Sequence, residues 1–177
     1  DRLLAWAASR ASRYVAICNV HVVVTAWRDP SFQTVINGAD LATPDGAPIA
    51  WTLRRLGFAK QERVSGPDLM ENLFAHCSDR AIPIYFYGST IQTLESMEKR
   101  LRVRFPNLSI VGMESPPFRE LTVEEDEAAI ARINQSGAGI VFVGLGCPKQ
   151  ERWMAAHRGK VQAVMIGVGA AFDFFAG

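Results

Sequence analysis

The sequence predicts an α/β fold, a single domain with a mainly parallel sheet and helices on both faces. Three observations carry this expectation. From Pro67 onward short apolar runs alternate with helix-length amphipathic segments, the pattern of βαβ units. Four of those runs stop at small or polar residues, as strands do when their carboxyl ends border a ligand crevice. A length of 177 residues suits one substantial core. Connections between parallel strands are right-handed almost without exception, so helices cover both faces in a Rossmann-like arrangement.

Taken in order, residues 2–13 read as a helix with Leu3, Leu4, Ala7, Ala8 and Ala11 on one face, and a strand follows at 14–18. Val20 to Arg28 reads as a short buried helix, with Val22-Val23-Val24 leaving a strand as the alternative. Asp29-Pro30 starts another helix, because Asp caps free N–H groups and Pro suits a first turn; it ends near Gly38. A short extended piece, 40–43, precedes Pro44-Asp45-Gly46, and a helix then runs to Gly57. The regular series is helix 67–79, strand 83–87, helix 90–104, strand 108–113, helix 122–136, strand 139–144, helix 148–158 and strand 162–167. Thr122 with Glu125 makes a capping box.

Composition narrows the function classes. Apolar content of 49% with 21% charged residues argues for a folded domain. A net charge of +1 carries no polyanion signal, so nucleic acid is not expected as a partner. Cys18, Cys77 and Cys147 show no CxxC or Cys/His ligand spacing, which fits a reducing compartment rather than disulfides or structural zinc. No apolar stretch reaches the roughly 18 residues of a membrane span, and there is no signal-peptide layout. The start at Asp1 and the stop at Ala176-Gly177, just after a strand and its glycine turn, read as the cut ends of a longer protein.

The strand ends point to a phosphorylated ligand. Asn19 follows the first strand, Gly88-Ser89 follow 83–87, Gly144 and Gly146 follow 139–144, and Gly167 and Gly169 follow 162–167. Glycine lets backbone N–H groups approach an anion closely, and a helix N-terminus adds partial positive charge. No Gly-Lys-Ser/Thr ending occurs, so a P-loop is excluded. Lys149 and Phe172 stand where a dinucleotide fingerprint wants its third glycine. No Asp-x-Asp is present to hold a divalent ion, so arginine, lysine and backbone N–H groups must neutralise any diphosphate.

Pro148-Lys149-Gln150-Glu151 opens a helix behind a glycine-rich strand end, offering a cation and an amide to the crevice; a merely solvated first turn explains the same residues. Asp45 is either an N-cap in a common turn or a carboxylate at the crevice rim that takes a proton from an attacking hydroxyl. Arg63 is a fixed cation or a surface ion pair, and Asp68 caps the next helix. His21, His76 and His157 read as packing or surface residues, and the four tryptophans as core or rim aromatics.

In that order, Asn19, Pro44-Asp45-Gly46, Glu62-Arg63-Val64-x-Gly66-x-Asp68-Leu69, Gly88, Gly144-Leu145-Gly146-x-Pro148-Lys149-Gln150-Glu151 and the Gly167 to Gly177 segment resemble the WecG/TagA/CpsF glycosyltransferases, glycosyltransferase family 26. The resemblance implies an inverting, metal-independent hexosyltransferase with no cofactor. It would move a ManNAc-, ManNAcA- or glucose-type hexose from a UDP-sugar to a polyprenyl-diphosphate-linked sugar. The products would be teichoic acid linkage units, enterobacterial common antigen or exopolysaccharide. It places the general base on Asp45 and substrate contacts on Asn19, Arg63 and Gln150, which joins them to Gly88, Ser89, Gly144, Gly146, Lys149, Gly167 and Gly169 from the strand ends. Ile17 stands where some members carry threonine. Members continue into a basic C-terminal appendage that docks on the cytoplasmic membrane face and begin with a short N-terminal segment, both expected to be missing here; absence of the appendage would leave apolar surface open to homo-oligomer formation. The competing functions are a nucleotide-sugar isomerase or hydrolase, which would release product without an acceptor, and a non-catalytic UDP-sugar-binding module.

Overall fold

A computed structural model describes residues 1–177. It contains α1 (Arg2–Ala8), β1 (Arg13–Cys18), α2 (Val20–Arg28), α3 (Pro30–Asn37), β2 (Leu41–Pro44), α4 (Ala47–Arg55) and α5 (Gly66–Arg80). There follow β3 (Ile84–Gly88), α6 (Ile91–Arg104), β4 (Ile110–Glu114), α7 (Val123–Gln135), β5 (Ile140–Gly144), α8 (Lys149–His157), β6 (Val164–Gly167) and α9 (Ala171–Ala176). The six strands form one sheet in the order β2-β1-β6-β5-β3-β4, and every pair is parallel.

The strands are apolar on both sides because successive side chains point to opposite faces. Val15, Ile17, Ile84, Phe86, Ile140, Phe142, Val164 and Ile166 turn to one face, where α1, α5, α6 and α9 cover them. Tyr14, Tyr85, Tyr87, Val141, Val143 and Met165 turn to the other, under α7 and α8. Ala16 and Cys18 join that second side under α2 and α3. On the first face Phe74 sits edge-on to Phe86, Phe105, Phe142 and Phe175, with ring centroids 5.3–6.0 Å apart.

Both predicted caps are made. Asp29 Oδ1 accepts the N–H groups of Ser31 and Phe32, and Thr122 and Glu125 exchange the two bonds of a capping box. Elsewhere the structure departs from the expectation. The first helix ends at Ala8 rather than 13, because Arg10 takes a left-handed conformation (φ 51°) that turns the chain into β1, with the Ala11 N–H returning to the Trp6 carbonyl. Ser65, not Asp68, caps α5: its hydroxyl accepts the Asp68 N–H. The segment after β6 forms α9, whose six residues are too few to display a helical period.

The helix over 20–28 forms, but it is not buried. Only Val22 and Ala26, one turn apart, face the sheet. Val20, Val23, Val24 and Trp27 make an outward apolar stripe, with Trp27 77% exposed. Periodicity identifies a helix with an apolar side; it does not say that one narrow row suffices to fill the space beside β1.

Candidate active site

Parallel pairing of β1 with both β2 and β6, and of β5 with β6, sets four carboxyl ends side by side. Above them lies a crevice of about 430 Å³. Asn19 enters it from the end of β1, Asp45 from the end of β2, Gln150 from the first turn of α8 behind β5, and Gly167 to Ala170 from the end of β6. Three elements far apart in the chain therefore place a carboxylate and two amides around one hollow.

The Asp45 N–H donates to the Cys18 carbonyl at 2.9 Å, which anchors the turn to the end of β1. Gly46, with φ 85°, is the N-cap of α4, and no side chain caps that helix. The Asp45 carboxylate is thus not used as a cap. It is the only carboxylate on the crevice wall. Asn19 does both jobs: its Oδ1 caps α2 by accepting the Val22 N–H at 3.0 Å, which orients the side chain at the crevice edge.

Gln150 is 5% exposed and fully engaged at its oxygen. Oε1 accepts the Gly146 N–H at 3.2 Å and the Gly169 N–H at 3.1 Å. Nε2 donates to Glu151 Oε1 at 2.8 Å. One amide therefore ties the turn after β5 to the turn after β6. A Cβ on Gly167 would lie 2.7 Å from Met154 Cε and 3.2 Å from Gln150 Nε2, so glycine there makes room for the tie. The Gly146 and Gly169 N–H groups are thus directed at Gln150, while both residues line the crevice. On the wall the backbone N–H groups of Asn19, Cys147 and Ala170 are among those that make no intramolecular hydrogen bond.

Five other predicted residues lie off this wall. Gly88 (φ 130°) and Gly144 end adjacent strands so tightly that a Cβ on Gly88 would collide with the Gly144 carbonyl, and one on Gly144 would meet the Phe172 ring at 2.8 Å. Their small size serves packing. Ser89 is held between Gly144, whose carbonyl takes its N–H at 3.0 Å, and Ser115, whose hydroxyl donates to its carbonyl at 2.7 Å. Arg63 is on the surface, 3.1 Å from Asp68; the Ser65 hydroxyl first, and then this guanidinium, hold the Asp68 carboxyl below its usual range. Lys149 lines a separate cavity of about 350 Å³, with Tyr87, Leu145 and Trp153.

Two residues that sequence reasoning set aside do line the crevice, His21 and Cys147. Position 21 falls in the first turn of the helix behind Asn19, and that placement was the available signal. Burial first, with the Glu151 carboxyl beside it, pushes the Cys147 thiol up to about 12. Burial likewise pushes Cys18 up to about 11.

The family model described as "Glycosyl transferase WecG/TagA/CpsF family" matches residues 1–177. A curated relative from Bacillus spizizenii, named N-acetylglucosaminyldiphosphoundecaprenol N-acetyl-beta-D-mannosaminyltransferase, is 27% identical over 165 residues. That match covers 93% of this chain and 62% of the relative, so the chain spans less than two thirds of that protein's length.

Proposed function

The chain belongs to the WecG/TagA/CpsF glycosyltransferase family, and we propose that it carries the catalytic part of an inverting hexosyltransferase. The donor in this reading is a UDP-linked N-acetylmannosamine-type hexose and the acceptor a polyprenyl-diphosphate-linked sugar. The activity for which the Bacillus relative is named supports both the hexose and the acceptor kind. The observation that carries the proposal is Asp45, a carboxylate that caps nothing and stands in the same crevice as Asn19 and Gln150.

Asp45 takes the proton of the acceptor hydroxyl as the oxygen attacks the anomeric carbon. The bond to UDP breaks on the opposite side, and the configuration inverts. General-base assistance of this kind contributes about 10²–10⁴ in rate. The crevice wall holds no lysine or arginine, so in this reading the departing diphosphate is met first by backbone N–H groups of the wall, those of Cys147 and Ala170 among them. Asp45 is assigned to the proton and not to a metal ion, so turnover is expected to persist in EDTA. No helix is long and apolar enough to cross a membrane. A lipid-linked acceptor would bring the protein to the inner membrane face as a peripheral enzyme.

The test is a transfer assay on the full protein containing this chain, with a panel of UDP-hexoses and a short polyprenyl-diphosphate GlcNAc. Transfer from the N-acetylmannosamine donor, lost by about 10²–10⁴ in Asp45→Asn while UDP still binds, supports the proposal. Undiminished turnover in that variant removes Asp45 as base. Free or isomerised sugar formed without acceptor overturns transfer itself.

A further inference from the structure

Directly beneath the crevice, Glu151 is 0% exposed, a buried carboxyl that the transfer mechanism does not use. Its Oε1 accepts from Gln150 Nε2 at 2.8 Å, and its Oε2 is buried with no hydrogen-bond partner. No lysine or arginine pairs with it. The titratable groups that lie near it are Cys147 in the turn before α8, His21 on α2 and Cys18 at the end of β1.

We propose that Glu151 is a positioning residue, holding the Gln150 amide in the one orientation that ties the Gly146 and Gly169 turns together. An amide can reverse end for end. In the reverse orientation Gln150 Nε2 would face two N–H donors and its Oε1 would face a carboxyl oxygen. In the observed one all three contacts pair donor to acceptor. The two glycine N–H groups favour the carbonyl end, and Glu151 accepts from the amino end, so the orientation is set from both sides.

The buried, unpaired Oε2 favours the neutral form of Glu151 in this role. Burial raises its carboxyl above the usual range, and the Gln150 amide, the Cys147 thiol and His21 do not cancel that rise. An ionised carboxylate would leave a charged Oε2 unpaired in the interior, beside a crevice meant for a diphosphate. The neutral acid, with its proton on Oε2, keeps Oε1 as the acceptor and removes that repulsion. The side chain required is then an acceptor of fixed shape, not a charge, and glutamine supplies it.

This inference rests on the proposed function only for its use in donor binding; the tie between the turns can be tested without it. The experiment compares Glu151→Gln and Glu151→Leu with the parent protein. It measures amide hydrogen exchange at Gly146 and Gly169, UDP affinity by calorimetry, and the pH profile of both from 5 to 8. Glu151→Leu is expected to speed exchange at both amides, and to weaken UDP binding, by about tenfold each, and Glu151→Gln to restore both. Equal damage in Glu151→Gln and Glu151→Leu overturns the neutral-acceptor role, as does protection in the parent that is lost between pH 5 and 8 but not in Glu151→Gln. Undisturbed exchange in Glu151→Leu removes the positioning role altogether. Should Glu151→Leu fail to fold, the parent and Glu151→Gln profiles still decide. Failure of UDP to bind the parent would count against the proposed function, while the exchange data would stand.

Discussion

Gly88 at the end of β3 lies directly against the Gly144 carbonyl at the end of β5, with no space for a side-chain carbon between them. Gly88 also holds φ 130°, a conformation that L side chains rarely adopt. Gly88→Ala therefore adds a collision to an unfavourable backbone angle. We expect a loss of about 2–3 kcal/mol, read as a lower midpoint in urea unfolding. A midpoint within error of the parent would show that the two strand ends can separate freely.

Gln150→Leu keeps most of the side-chain volume and removes the acceptor. The Gly146 and Gly169 N–H groups lose their shared partner, and Glu151 loses its donor. The buried Glu151 oxygen left unsatisfied costs about 1–3 kcal/mol, while the Gly169 N–H keeps a longer bond to the Val143 carbonyl at 3.4 Å; the fall should appear in thermal unfolding together with weaker UDP binding. Stability and affinity that both survive would mean that the turns are held by their own backbone.

Acid should loosen the start of α7. Arg119 first, and then the Thr122 N–H, hold Glu125 down to about 2 from an ordinary 4.5. A carboxyl depressed by folding stabilises the native state above its ordinary value, and that contribution disappears as pH falls through the folded value. The unfolding midpoints of the parent and of Glu125→Gln should thus differ at pH 7, converge between about 4.5 and about 2, and coincide below that window. A gap that stays constant across the window would place the effect outside this carboxyl.

Phe74 is the hub of four edge-on aromatic contacts, and it is fully buried. Phe74→Ala leaves a cavity bordered by rings from β3, β5, α9 and the end of α6. The expected loss is about 3–5 kcal/mol by denaturant titration, and Phe74→Leu should lose clearly less. Equal losses would indicate that ring geometry, and not volume, governs this side of the core.

Much of the architecture was legible because its causes are local. Alternating apolar runs and amphipathic segments specify strands and helices, parallel pairing follows from the long crossovers, and Asp29-Pro30 and Thr122 with Glu125 mark helix starts by their own hydrogen bonds. The position of Asp45 was legible for the same reason, since Pro44-Asp45-Gly46 had to lie between a strand end and a helix. Whether its carboxylate capped that helix was not, because a cap depends on backbone angles that Gly46 alone determines here.

By itself, then, the sequence determined a parallel α/β fold whose strand ends carry Asn19, Asp45 and the glycine turns. Only the tertiary structure decided which of those ends share a hollow. Strand order brings β1, β2, β5 and β6 together and leaves Gly88 and Ser89 to pack against Gly144. Lys149 and Gln150 are neighbours in the chain, yet they line different cavities, because consecutive helical side chains point about 100° apart. Gly146 and Gly169 look identical to free anion-binding turns in one dimension. It takes a folded α8, laying the Gln150 carbonyl between them, to engage their N–H groups.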